Sequence, residues 1–359
     1  VANTGNNSVS VINSTDNSVI NTIKVGTSPT ELALNSDKNL LFVANSGNHT
    51  VFIINTTDNS IVKTWVTYTR VLDIVSNPLN NQVYTLTSHG VGETVSVRNA
   101  TDGSSLGKIK LNHPSQALFN QKNNLLYVIS TTDNTTSVIN STDNSIIDTI
   151  IVGRSPIELV LNPNNNLLYI LNFDDSTISV INSTDNSVVG TIKVDDNPTD
   201  IVLNPNNNLL YIATQNNKTV SVINATTISL MDRIQLDKFP EALAVNPTTN
   251  FLYVANRGNN SVSLMNSTDN SIVKTIEVGG SINKGLEPRY LYYDTTNNLL
   301  YVGIANTISI IDGISNEVIA DNIISGTSLT RIAGEHDDQI YSVNQNVYYL
   351  SLINKLKTK

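Results

Sequence analysis

The chain has no cysteine anywhere in its 359 residues. Disulfides, thiolate metal sites and cysteine nucleophiles are therefore excluded, while the redox compartment stays open. Charge is scarce as well: Asp, Glu, Lys and Arg make up 14% of the chain, and the formal net charge is -9. Lys and Arg form no cluster, which excludes nucleic acid and anionic membrane surfaces as partners, since both need a concentrated basic patch. No apolar run reaches the length of a bilayer-spanning helix, so direct membrane insertion is not expected. Nor does any segment carry the 3.6-residue period of an amphipathic helix. The opening segment does not read as a secretory leader. It begins mid-pattern at "VANTG", which suggests processing or trimming of a longer precursor.

What is present is Val, Ile and Leu separated by Asn, Ser and Thr, a mixture suited to strands and turns. A motif of the "LLYV" type recurs, with its aromatic residue at Phe42, Tyr84, Tyr127, Tyr169, Tyr211, Tyr253, Tyr301 and Tyr341. Successive spacings are 42, 43, 42, 42, 42, 48 and 40 residues. One unit, Pro156 to Val194, reads as four short strands: "IELVLN", "LLYILN", "TISVIN" and "SVVGTIKV", joined by turns such as "PNNN" and "STDN". Repeated four-strand units of this length are the signature of a β-propeller. A linear solenoid would need polar caps, and the chain ends are ordinary strands. The predicted fold is all-β: a single propeller domain over residues 1–359, built from four-stranded antiparallel blades. Eight blades fit best, with N- and C-terminal strands sharing the closing blade and two strands surplus. Seven blades is the alternative.

The segments "YVAN" at Tyr253–Asn256 and "FVAN" at Phe42–Asn45, with "VGTSPTELAL" and "VGRSPIELVL", resemble the YVTN family of β-propeller repeats. That resemblance covers almost the whole chain. It implies a propeller, and it points to archaeal surface-layer and cell-envelope proteins, among which such repeats are common. It implies no reaction, because propellers host binding, scaffolding and catalysis alike. One departure stands out. The family typically ends its third strand in Val-Ile-Asp. Here Asp holds that place only at Asp312, and Asn holds it at Asn13, Asn55, Asn99, Asn140, Asn182, Asn224 and Asn266.

All seven of these Asn have Thr two residues on, the acceptor pattern for N-glycosylation. Five more acceptor patterns begin at Asn6, Asn48, Asn134, Asn217 and Asn259. Asp would serve the same turn, so the choice of Asn suggests N-linked glycans, hence an exported, extracellular protein at the cell surface. The competing explanation is an Asn-rich chain producing such triplets by chance. The meander would put the two sets on opposite faces of the disc. No acceptor follows Asn266, and that sector also holds the one long insertion, "GGSINKGLEPR". Lys284, Glu287 and Arg289 there are candidate contacts for other cell-envelope proteins or for self-association; a diverged closing blade explains the sector equally well.

His49, His89, His113 and His336 occupy different repeat positions without metal-ligand spacing. Aligned first strands place Glu31, Asp73, Gln116, Glu158, Asp200, Ala242, Tyr290 and Arg331 together. The carboxylates Glu31, Asp73, Glu158 and Asp200, with Glu241 adjacent, would ring one channel mouth and suit Ca²⁺, although solvated strand-entry carboxylates would look the same. No cofactor is otherwise implied. Three functions stay open: a structural, adhesive or protein-binding surface glycoprotein; an exported accessory subunit of a larger membrane or redox complex; and a metal-dependent hydrolase or lactonase. The non-enzymatic readings come first, because no nucleophile triad or phosphate loop is present.

Overall fold

The computed structural model describes residues 2–3, 6–87, 94–280, 287–324, 331–334 and 339–343. Among them the only helical piece is a 3-10 turn at Ser36–Lys38. Seven four-stranded antiparallel sheets follow one another in chain order, from Pro29–Asn35 to Val318–Ile324. We number these blades 1 to 7 and call their strands inner, second, third and outer. Blade 4 is typical: Pro156–Asn162, Leu167–Asn172, Thr177–Asn182 and Ser187–Lys193.

The eighth sheet joins the two ends of the chain. Arg331–Gly334 pairs with Gln339–Val343, which pairs with Ser8–Asn13, which pairs with Val19–Lys24. Ala2–Asn3 lies on the same edge of Ser8–Asn13 as Gln339–Val343, facing Ser8 and Val9, while residues 339–341 face Val11 to Asn13. Two short pieces therefore divide one second-strand position, which accommodates one of the two surplus strands. The other falls beyond Val343, outside the described residues. Inner strands touch inner strands from each blade to the next, and Arg331–Gly334 lies against both Pro288–Asp294 and Pro29–Asn35. The ring closes with eight blades.

Burial follows strand position. Second and third strands are covered on both faces by neighbouring blades, which is why they read as continuous apolar runs rather than alternating ones. Leu168, Tyr169, Ile170 and Leu171 are all fully buried, as are Ile178, Val180 and Ile181 on the next strand. Outer strands are mostly exposed, and in six of the blades one residue near the end is buried: Ile23, Trp65, Ile109, Ile150, Ile192 and Ile276. Each such side chain contributes about 1.5–3 kcal/mol on leaving water.

The abundance of asparagine has a partial structural cause. Asn81, Asn124, Asn166, Asn208, Asn250 and Asn298 close the turns between inner and second strands with φ between 51° and 58°. Asn59, Asn144, Asn186 and Asn270 do the same, near 60°, in turns before outer strands. Asn tolerates this left-handed conformation better than other non-glycine residues.

Candidate functional site

The seven third-strand acceptors are not among these left-handed positions. Each instead forms an Asx turn. The side-chain oxygens of Asn13, Asn55, Asn99, Asn140, Asn182, Asn224 and Asn266 accept the backbone N–H of Thr15, Thr57, Thr101, Thr142, Thr184, Thr226 and Thr268 at 2.8–3.0 Å. Asp312 builds the same turn, accepting the N–H of Ile314 at 2.9 Å. The acceptor Asn are half-buried and the Thr exposed. The residue between them is buried in all seven: Ser14, Thr56, Ala100, Ser141, Ser183, Ala225 and Ser267. In Ser141, Ser183, Ala225 and Ser267 its carbonyl is gripped from the preceding blade. Asn165 and the hydroxyl of Tyr169 donate to Ala225 at 2.9 and 2.7 Å, and Asn123 and Tyr127 donate to Ser183 at 2.7 and 3.2 Å. The amide nitrogen of each of these Asn has no hydrogen-bond partner among the described residues.

The turns continue with Asp, whose carboxylate takes hydrogen bonds from a serine two residues on, as in Asp185 with Ser187 at 3.0 Å to the backbone and 2.7 Å to the hydroxyl. Those bonds hold the carboxyls of Asp16, Asp58, Asp102, Asp143, Asp185 and Asp269 below their ordinary range.

Of the second set, Asn6, Asn48 and Asn217 are exposed and Asn134 and Asn259 half-buried. They occupy turns between second and third strands, on the face where outer strands lead to the next inner strand; the Asn134 side chain, for instance, accepts the N–H of Ser155 at 2.9 Å. No acceptor of either set is buried.

The inner-strand carboxylates are not an open ring. Asp73, Glu158 and Asp200 are buried, Gln116 and Tyr290 likewise, and Glu31 is half-buried. Three of these carboxylates reach the next blade instead of the channel. Asp73 accepts the N–H of Ala117 at 2.8 Å, and Asp200 accepts that of Leu243 at 2.6 Å. Glu158 accepts that of Ile201 at 3.3 Å. The reason is a bulge. One residue of each inner strand of blades 1 to 7 is unpaired just before this position, as Ile157 is between Pro156 and Glu158. A bulge re-aims the side chain that follows it. Among the described residues no three acidic or histidine side chains converge as metal ligands. Burial pushes the Asp200 carboxyl up to about 7, against the hydrogen bonds it accepts.

Glu287 accepts from Arg257 at 3.1 Å and from Arg289 at 2.9 Å, so two of the three candidate contact residues pair with one another. Arg257 also faces Glu241 at 3.8 Å. Lys284, His89 and His336 lie outside the described residues, and the Arg331 side chain does too. His113 pairs with Asp133 at 3.3 Å in a turn. The His49 carbonyl accepts the N–H of Thr67 at 2.8 Å. The sequence signalled the acceptor turns but not the tyrosine and asparagine grip behind them.

No family model matches the chain, and no curated protein matches it in sequence. Among solved structures it is similar to a dihydro-heme d1 dehydrogenase, NirN, with a TM-score of 0.75 at 11% identity. The match covers 91% of this chain and 75% of that one. The molecule is a β-propeller. In all, 1648 solved chains match, so the likeness speaks to architecture and leaves activity open.

Proposed function

We propose that this chain is an exported cell-surface glycoprotein with a structural, adhesive or protein-binding role, displayed outside the cell with N-linked saccharides on both faces. It belongs by its "YVAN" and "FVAN" strands with the YVTN-type repeats of archaeal surface layers and envelopes. Other envelope proteins or further copies of itself are its partners, and it carries out no reaction. One observation supports the reading above the rest. Asp312 builds the same Asx turn as the seven Asn, so turn geometry does not call for an amide at those places. Attachment of a sugar does.

The test is glycopeptide mapping of protein from its native cells. Saccharide is expected on several of the twelve acceptor peptides. Unmodified masses for all twelve would remove the proposal.

A second reading, an accessory subunit of a membrane or redox complex, draws on the structural neighbour, a dihydro-heme d1 dehydrogenase. Co-purification with a larger assembly separates it from the first. A channel Ca²⁺, with the hydrolase or lactonase reading it would serve, is the least supported, because Asp73, Glu158 and Asp200 already accept backbone amides. Stoichiometric metal in the purified protein, lost in Glu158→Ala, would revive it.

A further inference from the structure

Among the described residues every blade of the ring ends in a free sheet edge, and a free edge with apolar side chains is a template for pairing with another chain. Charged residues blunt several of these edges. At the last paired position of the outer strand stand Lys24 in the closing blade, Lys110 in blade 2, Lys193 in blade 4 and Glu277 in blade 6. Blade 3 has its only edge charge in mid-strand, at exposed Asp148, whose carboxylate accepts the N–H of Thr149 at 2.7 Å. Its outer strand, Ser145–Ile151, reads "SIIDTII", and the residue at the equivalent place is Ile151, which is 80% exposed. Ile146 and Ile147 at the other end are exposed too. No lysine or arginine lies on the strand.

An acceptor asparagine stands at each end of this same edge. Asn140 is paired directly with Ser145, next to Ile146 and Ile147. Asn134 precedes Thr135, the partner of Ile151, and its carbonyl accepts the N–H of Val152 at 3.0 Å. Blade 4, whose edge ends in Lys193, has the acceptor Asn182 at one end only, and Asp174 and Asp175 occupy its other turn. Blade 1 repeats the arrangement of blade 3: its outer strand ends in exposed Val66, and Asn48 and Asn55 flank it. Acceptors also stand at both ends of two edges that end in a charge: Asn6 and Asn13 beside Lys24, and Asn259 and Asn266 beside Glu277.

We infer that the saccharides on Asn134 and Asn140 cover the blade 3 edge. A bulky, hydrated group at each end of an apolar strand keeps a second copy from adding to the sheet. The inference rests on the glycoprotein reading above and says what two of the sugars do.

It is tested by sedimentation velocity on protein made in its native cells. The pair Asn134→Asp and Asn140→Asp removes both acceptors. Asp312 shows that Asp keeps the Asx turn at the second site. The double variant is expected to shift from the wild-type sedimentation coefficient to larger species, and adding Ile151→Lys is expected to restore the wild-type value. Asn182→Asp alone, on the edge ended by Lys193, should sediment as wild type. Should the double variant sediment as wild type, or Ile151→Lys fail to rescue it, the edge-covering role is wrong. A wild type with no saccharide on either residue overturns this inference; the glycoprotein reading falls only if all twelve acceptors are bare.

Discussion

The innermost and outermost parts of each blade use the same residue type for opposite ends. On the inner strands, Asp73 and Asp200 are buried and bind backbone amides of the next blade. On the rim, Asp185 and its repeats are exposed and bind only the serine two residues ahead. The first arrangement ties blade to blade; the second closes a turn inside one blade. A carboxylate in a propeller is therefore read from its depth in the blade, and its chemistry follows from whose amide it meets.

The inner arrangement breaks first. Asp73→Ala leaves the N–H groups of Ile74 and Ala117 without their acceptor in a buried site. Each orphaned buried donor costs about 1–3 kcal/mol, so a loss of about 2–5 kcal/mol is expected in urea unfolding. A loss below about 1 kcal/mol would mean water reaches those amides and the inner ring is open after all.

The two regions also respond to pH with opposite signs. The Asp200 carboxyl, raised to about 7 by burial, keeps a proton that the unfolded chain has lost above its ordinary 3.8. Its contribution is full below that ordinary value and is lost as pH rises toward the folded one. The rim carboxyls are lowered, so their contribution is present above 3.8 and lost as pH falls through their folded values. The Asp200 contribution to the thermal midpoint is therefore expected to fall as pH rises from about 4 toward neutrality. Asp200→Asn should flatten the decline and leave the acid limb in place. A variant profile that runs parallel to the wild type between pH 4 and 7 contradicts the assignment.

The sequence made the ring legible and the inner site much less so. Spacing of about 42 residues and the aromatic at Tyr127, Tyr169 and Tyr211 sufficed for a propeller and favoured eight blades over seven, and strand limits such as Thr177–Asn182 match residue for residue. Apolar runs and Asn-rich turns are local signals. Bulges are not: nothing in "PIELVLN" marks Ile157 as unpaired, yet that one residue decides that Glu158 meets Ile201 rather than the channel. Sharing of the closing blade was visible only as surplus strands. That two short pieces divide one edge of Ser8–Asn13 depends on where the ends meet in space.

A smaller effect probes what joins the rim to the preceding blade. Tyr169→Phe removes one of the two donors to the Ala225 carbonyl, and Asn165 still holds it. About 0.5–1.5 kcal/mol should be lost on unfolding, the usual worth of one hydrogen bond when its acceptor keeps another partner. Adding Asn165→Ala should cost more than the sum of the two single changes, because only then is the carbonyl stranded. Strict additivity would show that the two donors act separately.

The smallest effect is the most discriminating. Asn182→Asp should leave stability of unglycosylated protein within about 0.5 kcal/mol, because a carboxylate oxygen accepts the Thr184 N–H as the amide oxygen does. The reverse change, Asp312→Asn with Ile314→Thr, should be equally quiet in the folded state and should create an eighth acceptor turn. The free energies of these turns then say nothing about why Asn recurs seven times. If Asn182→Asp instead destabilised the unmodified protein by more than about 1 kcal/mol, the amide would have a structural use of its own, and the strongest support for sugars on the rim would be lost.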